Sequence, residues 1–92
     1  APLPSYGLTA TALSTTSVRL NWTNDSNLAT GYRIERYNNA LVGFVTAGTA
    51  AAGSTTWTDT GCTTKTKYVY RVIAYSASGD GGHSNEVVIT TP

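Results

Sequence analysis

The chain has 92 residues, 40% hydrophobic and 12% charged, with a formal net charge of +1. That length and composition fit one folded domain with a single core and exclude a disordered, highly charged segment. The four Arg and two Lys are scattered between Arg19 and Arg71 without a run, so neither nucleic acid nor an anionic membrane surface is an expected partner. No stretch approaches the roughly 20 continuous apolar residues of a membrane helix, and no basic-then-apolar leader opens the sequence.

Apolar residues recur at period two, and no window sustains a helical stripe. The first strand is predicted over 8–12. Residues 17–23 put Val18, Leu20 and Trp22 on one face and Arg19, Asn21 and Thr23 on the other, the pattern of a half-buried strand. Residues 31–37 repeat it with Tyr32 and Ile34 inward and Arg33, Glu35 and Tyr37 outward. Arg36 is the inward-phase exception, expected to reach solvent along its aliphatic stem. Asn38-Asn39 suits a hairpin turn into an apolar run over 41–46, and 47–54 reads as a Gly/Ala/Thr connection. A short strand over 55–60 is anchored by Trp57. The longest, over 67–75, aligns Tyr68, Tyr70, Val72 and Ala74 on one face. The Gly/Ser-rich stretch 76–83 reads as a loop, and a last strand is expected over 85–90 with Val87 and Ile89 in phase. Seven short strands separated by turns imply an all-β, seven-stranded immunoglobulin-like β-sandwich. Residues 1–5, with the opening Ala-Pro-Leu-Pro, and residues 91–92 read as linker stubs of a module within a longer chain.

Pro4, Leu8, the strand around Trp22, Gly31-Tyr32-Arg33-Ile34, Trp57-Thr58-Asp59-Thr60-Gly61, the run from Tyr68 to Tyr75 and Ser84-Asn85 stand in order as in fibronectin type III domains. The chain resembles that family over nearly its whole length. Its most specific segment, 62–68, is similar to the family's Leu-x-Pro-Gly-Thr-x-Tyr corner, with Cys62 in place of Leu, Thr64 of Pro and Lys65 of Gly. The resemblance implies fibronectin type III topology over 1–92, a Tyr68 hydroxyl bonded to backbone a few residues upstream, and burial of Cys62.

Chemistry-bearing motifs are sparse. One His, one Cys and five acidic residues leave no triad or metal set. His83 and Asp80 read as solvated loop residues, Glu35 and Asp59 lie on separate strands, and Gly79-Asp80-Gly81-Gly82 is followed by neither a helix nor a Lys. A lone Cys62 excludes an internal disulfide. No catalytic, cofactor-binding or metal-binding residues are assigned, and the domain by itself is not expected to be an enzyme. Asn21 and Asn24 head glycosylation acceptor patterns whose use depends on the source. The loop before the last strand reads Ser78-Gly79-Asp80-Gly81 without a preceding Arg, so integrin-type recognition is not supported.

The strand phases, with the neighbouring strands of the resembling fold, place Arg33, Glu35 and Tyr37 beside Val69, Arg71, Ile73 and Tyr75 on one outer sheet face. Arg33, Tyr37, Arg71, Ile73 and Tyr75 are therefore the candidate surface-interaction residues, where rings could stack on sugars or a neighbouring domain could dock, against ordinary cross-strand pairing as the alternative. Trp22 and Trp57 are inward by phase and belong to the core. The low-charge Thr/Ser/Gly style is similar to type III modules attached to bacterial secreted carbohydrate-active enzymes. That resemblance implies a monomeric, extracellular accessory module of a glycoside hydrolase or related polysaccharide-degrading protein, its partners being neighbouring domains of the same chain and a polysaccharide ligand being the alternative.

Overall fold

The computed structural model describes residues 3–24, 29–38 and 43–92. The described residues form eight strands in two antiparallel sheets and no helix. Strands β1 (Tyr6–Ala12), β2 (Val18–Thr23) and β5 (Thr56–Asp59) make a three-stranded sheet in the order β1-β2-β5. Strands β4 (Val45–Ala51), β3 (Gly31–Asn38), β6 (Lys67–Ser76) and β7 (Gly79–His83) make the larger sheet in that order, and β8 (Val87–Thr90) also pairs with β6.

The period-two pattern becomes the core directly. Val18, Leu20 and Trp22 from β2 face Tyr32 and Ile34 from β3 and Tyr68, Tyr70, Val72 and Ala74 from β6, all buried. Trp22 and Tyr32 meet with ring centroids 5.8 Å apart, a tilted pair that joins the two sheets. Burial of such rings at roughly 25 cal/mol per Å² is the main term that offsets chain entropy.

Two segments differ from the sequence expectation. The stretch 47–54, read as a connection, continues β4 to Ala51; of the hairpin turn expected at Asn38-Asn39, Asn38 ends β3, while Asn39 and the start of the run at 41 lie outside the described residues. Strand pairing at β4 comes from the partner strand rather than from propensity, because Ala and Gly carry little of their own. The register shifts between Ile34 and Glu35, which pair with Gly48 and Thr46 and leave Ala47 as the extra bulge residue. Gly48 is required there because a Cβ would fall inside the Trp57 indole. Trp57 is thus half-buried where β5 meets β4, closing one side of the sandwich.

The stretch 76–83, read as a loop, contains β7. Strands β7 and β8 lie on the same edge of β6, β7 along Ile73 to Ser76 and β8 along Lys67 to Tyr70. They are two halves of one edge strand, which reconciles eight strands with the seven expected. The interruption has a physical cause. The Ser84 hydroxyl accepts the Val72 amide (2.9 Å) while its own amide donates to the Val72 carbonyl (2.8 Å), so a side chain takes over the ladder. The Asn85 side chain then crosses to β1, accepting the Leu8 amide (2.8 Å) and donating to the Leu8 carbonyl (3.1 Å). These two residues close the second side of the sandwich. The sequence signal was weak because glycines at positive φ, Gly79 and Gly82, carry β7 around its irregular pairing.

Replacing Gly48 by Ala forces the Trp57 indole out of its seat and should cost about 1–3 kcal/mol in equilibrium urea denaturation, the range for overpacking. A loss below about 0.5 kcal/mol would show that Trp57 does not depend on that seat.

Candidate functional site

The outer face of the larger sheet brings the predicted residues into register: Arg33 opposite Ile73, Glu35 opposite Arg71, Tyr37 opposite Val69 and Gly31 opposite Tyr75. Glu35 is the hub. Its Oε1 accepts Arg71 Nε at 2.7 Å and its Oε2 accepts Arg33 Nε at 3.2 Å. Arg33 also donates two bonds to Asp80 on β7, at 2.7 and 3.4 Å. The Arg71 guanidinium lies 4.0 Å from the Phe44 ring centroid, and Phe44 leans on Tyr37 at 5.9 Å and 45°. Charge and rings on this face are therefore largely paired with one another.

Tyr37 and Tyr75 are half-buried, and Tyr75 lies across the backbone of Gly31, where a Cβ would strike its ring. Ile73, expected to offer apolar surface, is only 7% exposed and acts as a floor beneath its neighbours. Sequence reasoning did not place Phe44 or Asp80 on this face: Phe44 was read only as part of the apolar run over 41–46, and Asp80 could be placed over Arg33 only by knowing that β7 pairs with β6. Val88, opposite Val69 and 57% exposed, extends the apolar strip toward the edge.

A second cluster lies inside the sandwich and was not foreseen. The Asp59 side chain, at the end of β5, is 6% exposed and accepts from Arg36 Nη1 (2.6 Å), the Tyr70 hydroxyl (2.8 Å) and the Gly61 amide (2.9 Å). Arg36, expected to reach solvent, instead crosses between the sheets, with its guanidinium 5.3 Å from the Tyr68 ring centroid. The buried carboxylate is a better partner than water would be at the end of a half-buried stem. Cys62 Sγ sits 3.2 Å from the Tyr70 oxygen.

Burial raises the Cys62 thiol, only partly opposed by the Tyr70 hydroxyl, and burial together with Cys62 and Asp59 pushes Tyr70 far above its ordinary value. Neither is a nucleophile or base near neutral pH. Among the described residues no group of three or more His, Cys, Asp or Glu side chains is placed to hold a metal ion.

The corner forms as the resemblance implied. Tyr68 accepts the Thr63 amide on its hydroxyl at 2.7 Å, and Cys62 is buried. Lys65, standing for the family's Gly, takes φ of 52° and is the one non-Gly residue at positive φ among those described. At the opposite pole, an open depression of about 610 Å³ is floored by Trp22 and Tyr32 and rimmed by Thr23, Asn24 and Thr55, with no charged group among its described lining residues. Asn24 is already engaged, accepting the Ser5 hydroxyl at 2.6 Å and donating to the Ser54 carbonyl at 2.9 Å. Asn21 is exposed on the outer face of the smaller sheet.

These features define the class as an immunoglobulin-like sandwich with the tyrosine corner. The family model described as Fibronectin type III domain matches residues 2–91, and the chain belongs to that family. It is 41% identical over 95 residues to an alpha-amylase of Niallia circulans, covering 100% of this chain and 7% of the amylase. It is 35% identical over 94 residues to Exoglucanase B of Cellulomonas fimi, covering 99% of this chain and 8% of the exoglucanase. Among solved structures, a Fn3-like protein from Clostridium thermocellum is similar with a TM-score of 0.82 at 33% identity, covering 100% of this chain and 95% of that one. The FN5 domain of Drosophila Lar gives 0.83 at 27% identity, covering 100% and 98%. The chain thus spans a small part of the curated relatives it matches.

Burial alone would raise the Asp59 carboxyl, but the Gly61 amide, the Tyr70 hydroxyl and the Arg36 guanidinium outweigh it and hold it below the usual carboxylate range. A folded value below the unfolded one, about 3.9, means stabilisation that is present above the unfolded value and lost as pH falls through the folded one. Urea midpoints of the wild type should therefore drop between about pH 5 and pH 2 more steeply than those of Asp59→Asn. Parallel pH profiles would show that Asp59 titrates alike in the folded and unfolded chain.

Proposed function

We propose that this domain is a non-catalytic spacer in a larger, secreted carbohydrate-degrading protein, a monomeric module whose partners are the neighbouring domains of its own chain. The observation that carries the reading is the placement of the two chain ends. Ser5 is held beside Asn24 and Ser54 at one pole, while Thr91 and Pro92 are held by the corner at the other. The sandwich between them has a longest extent of 37 Å. A closed two-sheet body tied at both ends keeps whatever flanks it apart and oriented. The relatives support the setting, since the matched segment is a minor part of an amylase and of an exoglucanase.

The second reading, carbohydrate or protein binding by Arg33, Tyr37, Arg71, Ile73 and Tyr75, is favoured by the apolar strip through half-buried Val69, Tyr37 and Phe44 to exposed Val88. Sugar stacking needs open ring faces, and here Arg71 covers Phe44, the hydroxyl end of Tyr75 rests against Gly31, and Tyr37 and Phe44 are tilted to one another. The spacer reading is the stronger of the two.

Wild-type domain should pass unretained through columns of insoluble starch, cellulose and chitin, and Tyr37→Ser/Tyr75→Ser should behave the same, with stability changed by no more than about 1 kcal/mol. Micromolar retention of the wild type that the double change abolishes, at an unchanged melting transition, would replace the spacer with a binding module.

A further inference from the structure

The last two residues were read from sequence as a linker stub, yet Thr91 is 2% exposed. Strand β8 ends at Thr90, opposite Lys67, and the hydrogen-bond ladder then passes to the corner. The Thr91 amide donates to the Thr66 carbonyl (3.0 Å), and its hydroxyl donates to the Thr63 carbonyl (2.6 Å) while accepting the Thr66 amide (3.0 Å). One residue further, the Pro92 carbonyl accepts the Thr64 hydroxyl (2.6 Å) and the Lys65 amide (3.3 Å). Backbone alone could not make this set. It needs hydroxyls at 64 and 91 and an amide at 65 turned toward the chain end by the left-handed backbone.

The corner's departures from the family pattern fall in the same place. Thr64 stands where the family has Pro, which has no hydroxyl to give, and Lys65 stands where it has Gly. Thr66 Oγ1 in turn donates to the Thr64 carbonyl (3.0 Å), holding the loop that presents these donors. Two of the three residues that make this corner atypical, Thr64 and Lys65, grip the end of the chain.

We propose that the corner and the last two residues form a latch fixing the direction in which the chain leaves the domain at Pro92, with Thr64 and Thr91 as its positioning residues. The latch rests on the spacer reading and adds to it a mechanism. A following segment leaves from a point locked to β6 through Thr66 and Lys67, not from a flexible tail, so the domain transmits orientation as well as separation. At the other pole the chain has a counterpart in Ser5, 2% exposed and bonded to Asn24, with Pro4 lying against Gly82.

The test is ¹⁵N relaxation of the Thr91 amide. In the wild type its order parameter should match that of β6, near 0.85. In Thr64→Val/Thr91→Val, which removes both hydroxyls and keeps side-chain volume, it should fall below about 0.6 while β6 stays rigid. Thr64→Ser/Thr91→Ser keeps the hydroxyls and should behave as wild type. A mobile Thr91 in the wild type, an ordered Thr91 in the folded valine variant, or loss of order in the serine variant would each overturn the latch. Should the double valine change prevent folding, Thr64→Val alone is read at the Pro92 carbonyl carbon, where loss of order supports the latch and unchanged order overturns it. None of these outcomes decides whether the domain binds polysaccharide, so failure of the latch and failure of the spacer reading are separately visible.

Discussion

The structure depends on one buried carboxylate. Asp59 stands at the end of β5 in the smaller sheet, and its partners Arg36 and Tyr70 come from β3 and β6 of the larger sheet. Removing a charge from water costs several kcal/mol, and the three donors that converge on Asp59 offset it only when all are in place. The requirement is geometric and propagates. The Gly61 amide must turn back toward Asp59, which begins the corner. The Tyr70 hydroxyl must face β5, which places Cys62 against it and keeps β6 in phase, with Tyr68 free to bond Thr63. The corner in turn receives Thr91 and Pro92.

Apolar packing and this polar cluster divide the work. Trp22, Tyr32, Leu20 and Ile34 supply non-directional burial, which would tolerate small shifts of one sheet over the other. A hydrogen-bonded ion pair between sheets tolerates far less. The sides of the sandwich use different devices again, Trp57 seated on Gly48 at one and Asn85 bonded to Leu8 at the other. Orientation of the chain ends, on which a spacer depends, follows from this rigidity.

Much of the fold was legible because β2 alternates strictly and β3 and β6 do so over most of their length, so Val18, Leu20 and Trp22 give both strand and face. Strand β7 was not legible, and β4 only at Val45 and Thr46, where the run expected over 41–46 ends. Their Gly and Ala residues have weak intrinsic preference and pair because β3 and β6 present edges to them. The break between β7 and β8 depends on Ser84 substituting for a backbone group, which has no periodicity to detect. For the candidate surface, Arg33, Tyr37 and Arg71 were located by phase, but Ile73 was misjudged because the covering by its neighbours is a tertiary property. A signal for the buried cluster did exist: Arg36 and Asp59 are both charged and both in inward phase, on strands destined for opposite sheets. Opposite charges on two inner faces are a reason to expect a pair.

The most direct measurement is a double-mutant cycle on the inter-sheet pair, with Asp59→Asn, Arg36→Met and the double variant compared by equilibrium denaturation at neutral pH. The account predicts a coupling energy above about 1.5 kcal/mol, because either single change leaves a partner uncompensated in the interior while the double change does not. Effects that add within about 0.5 kcal/mol would contradict it and reduce Asp59 and Arg36 to neighbours that do not hold the sheets together.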